Sequence, residues 1–150
     1  MKDLNIKEII LEDFKCFSYK AFGENPENKA WEVISKWAKE NDVLNCSRIF
    51  GFNNPNPIPQ NKEYGYEFCL KLNKEINKEI PKVFNHKTIK GGKFISVKIS
   101  FDHMEEGWKL IRSAIKSKKY RYDDSRQWLE EHVINKMGEI DYLILMSPIK

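Results

Sequence analysis

Two adjacent carboxylates and a histidine, Glu130, Glu131 and His132, lie close together near the end of the chain. The strand period of two puts Glu130 on one face with His132 and Trp128, and puts Glu131 on the other face. A carboxylate in an enclosed aromatic site can act as the counter-ion of a bound cation or as a general base toward water. The alternation therefore predicts that one carboxylate faces outward and the other faces an enclosed site.

A ligand that is both cationic and aromatic would supply Glu130 with a charge and with ring contacts. We predict that Glu130 is the counter-ion of such a ligand and that Trp108, Tyr142 and Met146 form the apolar wall around it. The alternative is a glutamate at the rim of a sheet, paired with a lysine. His132 would tune the charge of Glu130 if it faces the same cavity, and is otherwise an exposed strand histidine.

The element that must hold Glu130 is a hairpin of residues 128–134 and 140–149, with its turn around Met137 and Gly138. In the second strand, Tyr142 and Met146 alternate with leucines, so both faces are apolar and the strand is expected in the interior of a sheet. We predict that Tyr142 shares the face of Glu130, one residue pair earlier.

The remaining periodicity predicts strands and two helices. The first helix runs from Pro26 to about Asn41, after Asn25 in the capping position, and the second from Met104 to about Ser117. Strands are predicted over 6–22, 48–52, 66–72 and 93–101, with an exposed loop of three prolines at 53–59 and an irregular linker over 73–86. In the strand 66–72, Glu67 is predicted to face outward.

An internal repeat relates the two halves of the chain. Trp31 lies 77 positions before Trp108, Tyr66 lies 76 before Tyr142, and strand residues 17–21 lie 78 before 95–99. This predicts one α+β domain over 1–150 that duplicates a βαββ unit, at about 5–75 and 87–150. Pseudo-two-fold symmetry, an antiparallel sheet, two main helices and a cleft at the junction are expected. The alternative is two unrelated α+β segments with similar periodicity.

The repeat also suggests candidate ligand-binding residues in the first half of the chain. At an offset of 78, Phe52 falls opposite Glu130, so an aromatic side chain occupies the place of the carboxylate. Phe52 and Tyr66 therefore join Glu130, Trp108, His132, Tyr142 and Met146 as candidate ligand-binding residues.

Composition limits the other functions. The net charge is +4 over 150 residues, and the basic run 116–121 is the expected end of a helix, so no direct nucleic-acid binding is predicted. Three scattered cysteines without a CxxC pair predict no metal site, and no cofactor motif is present. Neither a signal peptide nor an apolar run long enough to span a membrane is recognised, so a cytoplasmic protein is expected.

An ordered set of motifs resembles the GyrI-like, or AraC effector-binding, family. The set comprises residues 50–55 (FGFNNP), the strand 64–70, the glycine pair at 91–92, Trp108, the run 129–132 (LEEH) and the terminal strand 144–150 with its proline. The family glutamate maps onto Glu130, whereas the family tyrosine two residues later is His132 here.

The resemblance implies a duplicated βαββ domain that binds amphipathic or cationic organic molecules between its halves. Family members serve as effector domains of transcription regulators, as stand-alone binding proteins, as gyrase inhibitors or as hydrolases of small electrophiles. We expect a stand-alone small-molecule binding protein, with a separate DNA-binding regulator or gyrase as the partner of any regulatory role. The alternatives are a hydrolase that uses Glu130 as its base with Tyr142 and a gyrase-binding protein, although the charge of +4 disfavours an acidic DNA mimic.

Overall fold

The computed structural model describes residues 5–73 and 79–150, which contain two α-helices and eight β-strands. The elements are β1 (Lys7–Leu11), β2 (Phe14–Gly23), α1 (Pro26–Glu40), β3 (Ser47–Asn53), β4 (Tyr64–Leu72), β5 (Asn85–Ile89), β6 (Gly92–Ile99), α2 (Met104–Lys116), β7 (Leu129–Ile134) and β8 (Ile140–Pro148). The α+β class is confirmed, and the order strand–helix–strand–strand occurs twice, in β2–α1–β3–β4 and in β6–α2–β7–β8.

The chain divides into two compact units. The first-half unit comprises Lys15–Thr88, and the second-half unit comprises the described residues up to Phe14 together with Ile89–Lys150. The single strand predicted over 6–22 is wrong, because the backbone separates it into β1 and β2 at Glu12 and Asp13. Asp13 accepts a hydrogen bond from the Gly91 N–H at 2.7 Å, and β1 pairs antiparallel with β6 of the second-half unit.

In the first-half unit, β4 pairs antiparallel with both β3 and β2, and β5 lies beyond β2 at the end of the strand order. Helix α1 follows Asn25 and Pro26 as predicted, although the Asn25 side chain makes no capping hydrogen bond. The α1 residues Ala30, Ile34 and Ala38 are fully buried, so one side of the helix is an apolar stripe that packs in the core. The helix packs on the face of β4 that carries Phe68, since the Trp31 ring meets the Phe68 ring edge-on at 5.4 Å.

In the second-half unit, the strand order is β1–β6–β8–β7 and neighbouring strands are antiparallel. Helix α2 packs on β6 and β8, over a core of apolar side chains from both strands and from the helix. Gly107 allows a close approach, because a Cβ atom at this position would lie 2.7 Å from the Leu145 Cδ1. The α2 face of this sheet is therefore the face that carries Leu143 and Leu145.

The predicted linker over 73–86 extends too far, because its last two residues belong to a strand. Part of it also lies outside the described residues. Residues 74–78 are not described, residues 79–84 have no regular helix or strand, and Asn85 begins strand β5. Polar and exposed residues dominate β5, as expected for a strand with a neighbour on one side only, and this hides its periodicity in the sequence. Among the residues described, neither helix has the length and apolar content needed to cross a membrane.

Candidate functional site

Glu130 lies on the α2 face of β7, in contact with Trp108 of helix α2. Its carboxylate oxygen Oε2 accepts a hydrogen bond of 2.8 Å from the Trp108 indole Nε1–H, and only 6% of the residue is exposed. The Trp108 and Trp128 rings meet edge-to-face at 5.3 Å between centroids, and both tryptophans remain partly exposed. A buried carboxylate and two partly exposed aromatic rings therefore form one cluster, the Glu130 cluster, which brings together Glu130 and Trp108 of the predicted site and adds Trp128.

His132 shares the face of Glu130 and is 5% exposed, so it is not the exposed strand histidine of the alternative. Its Nδ1 lies 2.9 Å from the Glu130 carbonyl oxygen, which can only accept, so Nδ1 carries the proton. Burial lowers the pKa of His132 from 6.5 to about 4, and the hydrogen bond to the carbonyl opposes this only in part. His132 is therefore neutral near pH 7 and adds no positive charge beside Glu130.

The structure contradicts the predicted meeting of Glu130 with Tyr142 and Met146. Glu130 pairs with Leu145, whereas Tyr142 pairs with Val133 and Met146 with Leu129, so both lie on the opposite face of the sheet. The cause is a β-bulge between Val133 and Ile134. Ile134 pairs with Ile140, but Val133 pairs with Tyr142 rather than with the next residue, and a slip of one residue exchanges the two faces of a strand.

Tyr142 and Met146 have other surroundings on that opposite face. The Lys98 ammonium lies 4.1 Å from the centroid of the partly exposed Tyr142 ring. Met146 is 1% exposed and pairs with Leu129 and Ser96 on the neighbouring strands, so it is a core side chain. Neither residue belongs to the Glu130 cluster.

Glu131 also lies on the face opposite α2, where it pairs with Ile144. It is 6% exposed, as buried as Glu130. The prediction that one of the two carboxylates faces outward is therefore wrong, because β7 is covered on both sides as an interior strand is.

The two candidates from the first-half unit lie on different faces of its sheet. Tyr66 is on the α1 face, with its ring 4.9 Å from Phe68 and packed directly over Gly51. Phe52 is on the opposite face, where it pairs with Glu67. The offset of 78 that aligned Phe52 with Glu130 is therefore one residue out, because Phe52 lies away from the helix of its unit and Glu130 lies toward it.

Glu67 is another buried carboxylate that the sequence analysis placed wrongly. It was expected to face outward, yet it is 3% exposed on the face opposite α1. The Lys87 ammonium contacts both of its carboxylate oxygens, at 2.9 and 2.8 Å, and the Asn54 amide donates to Oε1 at 3.0 Å. Burial raises the pKa of Glu67, but the polar contacts with Lys87, Ser18 and Asn54 outweigh it, so the pKa is below its usual range and the carboxylate is ionised.

The residues described contain no group of three His, Cys, Asp or Glu side chains placed to hold a metal ion. The three cysteines are free thiols, and two of them, Cys16 and Cys69, are buried. The chemistry of the clusters above is therefore that of carboxylates, an imidazole, indoles and an ammonium.

A comparison with protein families gives one match, over residues 7–144, to the integron-associated effector binding protein family, Cass2. The chain belongs to this family. Membership agrees with the predicted resemblance and supports small-molecule binding as the general function. No curated protein matches the chain.

Solved structures show the same fold at low identity. The chain is similar to the EcmrR C-terminal domain, with 11% identity, a TM-score of 0.73 and 98% of each chain covered. In a cryo-EM structure of an EcmrR–DNA complex, it covers 57% of the longer EcmrR chain at 9% identity and a TM-score of 0.71. It also resembles SAV2435 bound to tetraphenylphosphonium, with 10% identity, a TM-score of 0.63 and coverage of 97% and 94%. A hydrolase from Listeria innocua gives 10% identity, a TM-score of 0.60 and coverage of 97% and 91%.

Proposed function

We propose that this protein binds amphipathic organic cations and that the Glu130 cluster supplies the counter-ion and part of the aromatic wall. The observation that carries the proposal is a buried carboxylate that accepts a hydrogen bond from the partly exposed Trp108, whose ring in turn contacts the ring of the partly exposed Trp128. Membership of an effector-binding family supports the same function for the whole chain.

The electrostatic argument concerns the Glu130 carboxylate. Ionised carboxylates are costly to bury unless they are compensated, and hydrogen bonds from charged donors compensate a carboxylate more strongly than hydrogen bonds from neutral donors such as the Trp108 indole. A ligand cation beside Glu130 would add charge compensation, and its contact with an indole face would add roughly 0.5–2 kcal/mol. Neutral His132 does not compete with that cation for the carboxylate.

The test compares two probes of matched shape and opposite charge, tetraphenylphosphonium and tetraphenylborate. Thermal unfolding is followed for the wild type and for Glu130→Gln, which keeps an acceptor for Trp108 and removes the charge. Of the two probes, we expect only tetraphenylphosphonium to stabilise the wild type. The stabilisation should be about 2.7 kcal/mol when the probe concentration is a hundred times its dissociation constant. In Glu130→Gln its affinity should fall by about tenfold or more, which is 1.4 kcal/mol of binding energy.

The matched control is Glu139→Gln, which removes the same charge from an exposed position in the same hairpin. It should keep the wild-type affinity, so that the effect of Glu130 is separated from the change in net charge. Equal affinity for the cation in wild type and Glu130→Gln would exclude Glu130 as the counter-ion. Equal stabilisation by both probes would exclude selection for cations.

The alternative of a hydrolase receives less support from the geometry. It needs a second polar group beside Glu130, and the predicted partner Tyr142 lies on the other face of the sheet. His132 shares the face of Glu130, but its Nδ1–H is directed to a backbone carbonyl. The proposal is therefore a binding protein rather than a hydrolase.

A further inference from the structure

The face of the first-half sheet opposite α1 carries a second combination of carboxylate, aromatic ring and cation. Glu67 and Phe52 are cross-strand neighbours on β4 and β3, and both are buried. The Lys87 ammonium lies 2.8 Å from Glu67 Oε2 and 5.1 Å from the centroid of the Phe52 ring. The Asn54 amide donates a further hydrogen bond to Glu67 Oε1 at 3.0 Å. These are the contacts that an ammonium ligand would require, and here the chain supplies the ammonium itself.

We propose that Glu67, Asn54 and Phe52 form a second cation site, for the primary ammonium group of an alkyl or arylalkyl amine, and that Lys87 is its tethered occupant and competitor. The inference deepens the proposed cation-binding function, but it concerns different residues in the other unit.

The position of Lys87 makes the exchange feasible. Its side chain is 33% exposed, whereas the Glu67 side chain is 4% exposed, so the ammonium lies at the accessible side of a buried carboxylate. Lys87 can leave by rotation about its own side-chain bonds and be hydrated, without any break in the pairing of β5. An incoming ammonium replaces one charge by the same charge, so Glu67 is never left without a cation in the exchanged state.

Lys87 and a free amine would compete for the same carboxylate, and the tethered side chain has the advantage. A side chain tethered next to its site has an effective concentration in the millimolar range or above, so free amines must exceed that concentration to displace it. Removal of Lys87 should therefore raise the affinity for a free primary ammonium by about tenfold or more.

The experiment is a chemical rescue with the full chain. Thermal unfolding of wild type, Lys87→Ala and Lys87→Ala/Glu67→Gln is measured against n-butylammonium chloride and benzylammonium chloride. Sodium chloride controls for ionic strength, and n-butanol and benzyl alcohol control for the apolar part. We expect saturable stabilisation of Lys87→Ala by both amines, at concentrations about tenfold or more below those needed for wild type, and no such effect in the double variant.

Two further variants guard against a misfolded Lys87→Ala protein and against confusion with the Glu130 cluster. Lys87→Gln retains a long polar side chain and should show the same gain if Lys87→Ala does not fold. In Lys87→Ala/Glu130→Gln the rescue should persist, so failure of the Glu130 proposal does not remove it. Equal amine dependence in wild type and both Lys87 variants would overturn the second site, as would rescue that survives Glu67→Gln.

Discussion

At the scale of single residues, His132 shows how burial sets a charge state. The side chain is enclosed on the α2 face, and its pKa is lowered to about 4 because the charged imidazolium would lose its hydration there. In the unfolded chain, the same group titrates near 6.5. Between these two values the unfolded state binds more protons than the native state, so acid favours unfolding.

We therefore expect the free energy of unfolding to fall as the pH is lowered from about 6.5 to 4, with a His132 contribution of roughly 3 kcal/mol. Urea unfolding at pH 7.5, 6, 5 and 4 measures it for the wild type and for His132→Leu. The variant should lose this part of the pH dependence. Val133→Ala, which lowers stability without removing a titratable group, should keep the wild-type slope. An unchanged slope in His132→Leu would contradict the assignment.

Residue types alone predicted the Glu130 cluster in part. Alternation placed Glu130 on one face with Trp128 and His132, and Trp108 was predicted as part of the wall around Glu130. In the structure, Glu130 and His132 share the α2 face, and Trp108 contacts both Glu130 and Trp128. Glu67 was not predictable in the same way. Its partners, Lys87 and Asn54, lie 20 and 13 positions away in a strand and a loop with no periodic signal, so a glutamate in an alternating strand was assigned to solvent.

At the scale of elements, a single β-bulge in the β7–β8 hairpin explains why the observed site differs from the predicted one. The limits of β7 and β8 and the turn between them agree with the predicted hairpin, and Gly138 occupies the turn with a φ of +79°. An unbroken register from that turn would put Tyr142 on the face of Glu130. The extra residue near Val133 moves it to the other face, and alternation within a single strand contains no signal for such a shift.

A glycine between two strands gives the element-scale prediction. Gly51 on β3 lies beneath the Tyr66 ring of β4, and an added Cβ would be 2.6 Å from ring atom Cε2 and 2.7 Å from Cζ. A buried tyrosine ring on a sheet has little room to withdraw, so Gly51→Ala should destabilise the protein by about 1–3 kcal/mol through overpacking. Urea unfolding measures the change.

The double variant Gly51→Ala/Tyr66→Leu provides the control, since the smaller side chain removes the clash. The cost of the alanine should be clearly smaller in the Tyr66→Leu background than in the wild type. An equal cost in both backgrounds would show that backbone effects at Gly51, rather than the Tyr66 ring, cause the loss.

At the scale of the whole molecule, charge bears on the choice of partner. The sequence has 26 Lys and Arg residues against 22 Asp and Glu residues, which gives the net charge of +4. A protein that imitates DNA has to present a strongly negative surface to a basic binding site, and a cationic chain is repelled there. Small organic ligands impose no such requirement, since a single buried carboxylate can neutralise one cation.

We therefore expect this protein not to inhibit DNA gyrase. The measurement is supercoiling of relaxed plasmid by gyrase at increasing protein concentration, up to a severalfold excess over the enzyme, at moderate salt. A cationic protein can coat DNA and slow any enzyme that acts on it, so relaxation of the same plasmid by topoisomerase I is run in parallel. Loss of both activities that disappears with added salt would show coating of the DNA. Selective loss of supercoiling at stoichiometric protein, insensitive to salt, would contradict the prediction and favour a gyrase-binding role over the ligand-binding role proposed from Glu130.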